Sequence, residues 1–131
     1  MERVDYFRLQ AKNLKRDLGT KKLEEDGIYS HEPKYFDDIE DLIMSYDIDE
    51  EAYTLMKCQH VIANLAGFSK WADLINASDE ALELGELLLK NRNAFYMPLL
   101  EDWQMYLAMN GFSDWDDSTK LELFKAVYLN Q

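Results

Sequence analysis

Apolar positions step by three and four through most of the chain, and breaks in that rhythm mark where elements end. Val4, Phe7, Ala11, Leu14 and Leu18 lay one stripe along a first helix, which Gly19 closes as the residue just past a helix C-terminus. The opposite face carries Arg8, Lys12, Lys15 and Arg16. The following TKKLEEDGIYSHE has no usable period and reads as a loop or loosely ordered connector over 20–33. It leads to Pro33, whose fixed φ suits the first turn of a second helix. Tyr35, Phe36, Ile39, Leu42, Ile43 and Tyr46 give that helix its buried side.

Asp47 or Asp49 is the expected cap of a third helix, with Leu55, Cys58, Ile62 and Leu65 inward and Gly67 at its end. Ser69 then caps a short fourth helix running to Ile75, and Ser78 caps a fifth that buries Leu82, Leu84, Leu88 and Leu89 before the polar run KNRN. A sixth spans Met97 to Asn110 with Pro98 in its first turn. It is apolar on two sides, Leu100, Trp103 and Leu107 on one and Met105 and Met109 on another, which predicts a central position. Asp117 or Ser118 starts a seventh, with Leu121, Phe124 and Val127 or Tyr128 inward.

One five-residue pattern, GFSxW, occurs twice, at Gly67–Trp71 and Gly111–Trp115. Each copy reads as a helix corner: a glycine in the left-handed conformation ends one helix, the phenylalanine folds back on it, and the serine caps the next. The tryptophan then falls in the first turn of the new helix, where an indole buries a large apolar area. At a spacing of 44 the copies also pair Leu55 with Leu99 and Asp73 with Asp117. Aromatic residues at such spacing are read as architecture ahead of ligand binding.

The 131 residues are 47% apolar, enough for one domain with its own core. Five glycines and two prolines are few for a β fold rich in tight turns. The expectation is an all-α, single-domain bundle of six or seven helices spanning 1–131. One cysteine, Cys58, excludes an internal disulfide and suits a reducing compartment, so a cytoplasmic location is expected, with no membrane span and no secretory leader.

Charge is unevenly distributed. The net charge is −12, yet residues 1–22 hold seven basic against three acidic side chains, so that the remainder carries −16. So acidic a body repels phosphate backbones and is steered toward basic surfaces. The densest acidic run, residues 37–51, contains Asp37, Asp38, Glu40, Asp41, Asp47, Asp49, Glu50 and Glu51 without one basic residue.

Few chemistries have candidates. Cys58 and His60 lie two apart, about 200° round a helix, and cannot face one another. Calcium loops of the EF-hand kind starting at Asp47 or Asp114 fail at the required glycine and glutamate, where Ala52 and Cys58, or Thr119 and Lys125, stand. A loose divalent ion among Asp47, Asp49 and Glu51 is the remaining metal reading, weighed below a solvated acidic face. No glycine-rich phosphate cradle and no catalytic constellation is visible, and neither cofactor nor metal is expected.

The segments AKNLKRDL (11–18) and HVIANLAGFSKWADL (60–74) resemble a small helical module, AKxLKxxL followed by AxxxGFxxWxxL. This module is found at the N-terminus of some glyoxalase-superfamily proteins and in uncharacterised bacterial and plasmid-borne proteins. The resemblance implies a helical, bacterial module and no activity, since no glyoxalase metal ligands follow. It covers about a quarter of the chain.

These features give a non-catalytic, acidic protein that uses residues 37–51 to engage a basic protein partner, by analogy with toxin-neutralising and immunity proteins of this size and charge. The alternative is a nucleic-acid-associated regulator that contacts phosphate through Arg8, Lys12, Lys15 and Arg16 on the first helix.

Overall fold

The computed structural model describes residues 2–130, and the fold is all-α. Seven α-helices follow in order: α1 (Arg3–Leu18), α2 (Ile39–Ser45), α3 (Leu55–Leu65), α4 (Trp71–Ile75), α5 (Asp79–Lys90), α6 (Leu99–Asn110) and α7 (Asp117–Phe124). The last continues into one π-helical turn, Lys125–Leu129, and a two-stranded ribbon, β1 (Lys22–Leu23) with β2 (Tyr29–Ser30), lies between α1 and α2. The chain forms two compact units, Asp5–Ile62 and Met1–Val4 with Ala63–Gln131.

In the Asp5–Ile62 unit, α1 buries Phe7, Ala11, Leu14 and Leu18, the stripe its periodicity predicts. Asp17 is fully buried on the same side. Its Oδ1 accepts the Lys34 N–H at 3.0 Å and its Oδ2 accepts those of Tyr35 and Phe36, both at 2.8 Å. A buried carboxylate needs such donors. Residues 34–36 are thereby held as a loop, so Pro33 does not open the second helix; α2 starts six residues later, at Ile39. Phe36, Ile39 and Leu42 are buried as expected, whereas Tyr35 is exposed.

The 20–33 segment is an ordered hairpin rather than a loose connector. Lys22 pairs with Ser30 and Leu23 with Tyr29, and the turn carries Gly27 at φ +85 and an Asp26 side chain that accepts the Ile28 N–H at 3.0 Å. Its apolar residues Leu23, Ile28 and Tyr29 are all exposed, so there is no buried side to impose an alternating pattern. Neither Asp47 nor Asp49 caps α3. Thr54 does, its hydroxyl accepting the Lys57 N–H at 3.1 Å, while Asp47 sits in the turn after α2 at φ 50.

In the other unit the core is Leu84, Leu88, Leu99, Trp103, Leu107, Leu121 and Phe124. The Trp103 and Phe124 rings meet edge to face at 5.3 Å, a favoured aromatic arrangement. Ser78 caps α5 as predicted, accepting the Ala81 N–H. Arg3 is clamped by three α5 carboxylates, Asp79 at 3.1 Å, Glu83 at 2.8 Å and Glu86 at 3.0 Å.

Both GFSxW copies end a helix in one way. Gly67 (φ +93) and Gly111 (φ +72) are left-handed, and the next N–H, of Phe68 or Phe112, returns to the carbonyl of Ala63 or Leu107, at 2.9 and 2.8 Å. The predicted serine caps are absent from both copies. Lys70, with no side-chain bond, precedes α4, and Asp116 caps α7 by accepting the Thr119 N–H. Trp71 opens α4 and is partly buried, but Trp115 lies in a turn before α7, 40% exposed and stacked on Phe112 with centroids 3.8 Å apart.

Candidate interaction surface

Residues 37–51 are the end of the Asp17-anchored loop, α2 and the turn that follows it. Anchoring that loop sets the start of α2 and puts Glu40 and Asp41 in its first turn, where carboxylates meet the positive end of the helix dipole. Ile39 and Leu42 face inward, leaving Asp37, Glu40 and Asp41 exposed between and beside them.

The eight carboxylates divide into two sets. Glu40 and Glu50 flank His31, whose side chain is only 3% exposed: Nδ1 lies 2.5 Å from Glu40 Oε1, and Nε2 lies 3.0 Å from Glu50 Oε2. That second approach is out of hydrogen-bonding alignment, and His31 Nε2 and Glu50 Oε2 are both buried without another hydrogen-bond partner. Lys21 lies 3.7 Å from Glu50 and 3.5 Å from Glu51, and Asp49 accepts the Glu51 N–H at 2.9 Å. Asp37, Asp41 and Asp47 are exposed and form no ion pair among the described residues, while Asp38 is partly buried. The sequence reads as one uniform acidic face and gives no sign that His31 and Lys21 draw Glu50 inward while Glu40 and Glu51 stay exposed. No spacing rule connects residues 21 and 31 to residue 50; the hairpin brings them there.

The first-helix cations are also unequal. Arg8 pairs with Asp5 at 2.9 Å, and Arg16 reaches Asp17 at 3.2 Å with its guanidinium 5.7 Å from the Tyr35 ring. Lys12 and Lys15 are exposed. Among the described residues, Lys12 and Lys15 thus have no ion-pair partner, whereas Arg8 and Arg16 do.

Cys58 is fully buried, and burial pushes its thiol up to about 11, with Lys15 opposing. At neutral pH it is a protonated core group rather than a nucleophile. His60, on the same helix, is exposed. Among the described residues no three His, Cys, Asp or Glu side chains converge to hold a metal ion, and no helix is long and apolar enough to cross a membrane.

In the other unit a cavity of about 260 Å³ has Leu84, Leu88, Leu100 and Trp103 in its wall, with Asp117 and Lys120 of α7 as its charged lining. The chain matches no protein-family model, no curated protein and no solved structure.

Proposed function

We propose that the protein is a non-catalytic binding protein whose exposed carboxylates in 37–51 engage a basic protein partner, in the manner of a toxin-neutralising or immunity protein. What supports this reading is the division just described. Within a run lacking any basic residue, Asp37, Asp41 and Asp47 remain exposed with no cation of the same unit on them, while the nearby Lys21 is taken up by Glu50 and Glu51. Exposed charges of one sign steer a complementary surface and accelerate association, at a strength that salt screens.

The test begins with affinity capture from the native host and identification of a basic partner by mass spectrometry. Affinity for that partner is expected to fall as salt rises, and to fall further in a chain carrying Asp37→Lys with Asp41→Lys. Binding that neither salt nor the two substitutions alter overturns the reading.

A further inference from the structure

Helix α6 is apolar on two sides, and only one is buried. Leu99, Trp103 and Leu107 enter the core, and Leu100 and Gln104 border the cavity. Met105 and Met109, one turn apart, are 55% and 79% exposed, with Ala108 exposed beside them and Glu101 one turn before. The two-sided pattern that predicted a central helix thus has an unpartnered side. Methionine is suited to such a place, because its unbranched, polarizable side chain adapts to varied apolar partners.

Charge selects the occupant. From residue 93 to residue 119 the sequence has no Lys, Arg or His and five carboxylates; of these Glu101 is exposed one turn before Met105, whereas Asp102 is engaged by the Tyr128 hydroxyl and Asp117 lines the cavity with Lys120. A second copy of this chain would bring its own carboxylates against these, so self-association on this side is opposed by like charge. A helix that buries leucine-sized side chains on the methionines and places lysine or arginine along its flanks meets both the apolar and the electrostatic requirement.

We infer that the outward side of α6, centred on Met105 and Met109, docks an amphipathic basic helix of a protein partner. This rests on the reading of the protein as a binder of basic partners, and it adds residues of α6 to those of 37–51. The probe is a labelled helical peptide of roughly five turns with leucine on one side and lysine on the other, titrated against the full chain by fluorescence anisotropy.

Met105→Glu with Met109→Glu makes the decisive variant because apolar docking and plain charge attraction predict opposite signs. Docking on the methionines predicts affinity weaker by roughly tenfold or more. Charge attraction alone predicts tighter binding, since two carboxylates are added. The side chains are exposed, so the melting temperature and helical circular dichroism should match the parent and confirm that the variant folds. Expected also are parent binding that persists in about 0.5 M salt, where exposed charges are screened, and weaker binding of a peptide of the same composition with its leucines scattered round the helix.

Unchanged or tighter binding by the variant, equal binding of the scattered peptide, or no binding by the parent overturns the inference. So does a concentration-dependent dimer of the free chain that the variant abolishes, since the occupant is then a second copy. If Asp37→Lys with Asp41→Lys removes peptide binding while the methionine variant retains it, the α6 surface fails and the proposed function stands.

Discussion

The two GFSxW corners share a backbone and differ in what surrounds it. At the first, the structure closes in. A Cβ on Gly67 would lie 3.3 Å from Leu88 Cδ1 and 3.4 Å from Leu100 Cδ1, and α5 presents Gly85 against Ala66 and the Phe68 ring, both about 3.1 Å from where its Cβ would stand. At the second, a Cβ on Gly111 would meet nothing within 4 Å, and Trp115, 40% exposed, lies on Phe112. The glycine and phenylalanine perform one task in both copies, because ending a helix with a left-handed residue and a returning N–H is a local requirement. The serine and tryptophan depend on what packs around them, so an identical five-residue pattern yields a packed corner and an open one.

Substitutions should separate the corners. The largest effect is expected from Trp71→Ala, about 2 to 3 kcal/mol, below the roughly 3 to 5 of a fully buried aromatic because Trp71 is only partly buried. Gly67→Ala should follow at about 2 kcal/mol, combining left-handed strain with the Leu88 and Leu100 contacts. Gly111→Ala carries the strain alone and should cost about 1 kcal/mol. Trp115→Ala should cost about 1 kcal/mol, less than Trp71→Ala, since 40% of the residue is already exposed and its ring lies on the partly buried Phe112. Thermal and urea melts of the four variants check the order. Equal losses at Trp71 and Trp115 would mean that the corners are not distinguished by packing.

The smallest expected effect is a pH dependence confined to the second corner. Asp116 accepts the Thr119 side-chain and backbone hydrogen bonds, which hold its carboxyl below the usual carboxylate range. Its folded-state affinity for a proton is therefore lower than in the unfolded chain, so its contribution is complete above the ordinary carboxylate range and is lost as pH falls through the folded value. Asp116→Asn should leave a cap but remove this acid-dependent part. Comparing melting temperatures of parent and variant at neutral and acidic pH isolates it. The first corner offers no counterpart, because Lys70 makes no side-chain cap bond.

Much of the helical framework was legible because a helix with one buried side must repeat its apolar residues every three or four positions. The stripe of α1, the inward leucines of α5 and both glycine stops followed from that alone. Boundaries moved where a side chain outside the repeat took over a backbone group, as Asp17 did for 34–36 and Thr54 for α3, whereas α7 starts at Asp117 as expected, with Asp116 as its cap. Asp17 left a trace in the sequence: it lies three residues after Leu14 and next to Leu18, a carboxylate on an apolar stripe, and such a residue calls for a search for its donors. The candidate surface was legible only as composition. That His31 and Lys21 would draw Glu50 inward depended on the hairpin, whose exposed side chains encode no period.

The clamp on Arg3 sets an order of events during synthesis. Its nearest carboxylate partner in sequence, Asp79, lies 76 residues downstream. At a translation rate of about 5 to 20 residues per second, Arg3 leaves the ribosome roughly 4 to 15 seconds before Asp79 follows it. The whole Asp5–Ile62 unit is made within that interval, while the first residues of the chain still wait for the helix that will hold them.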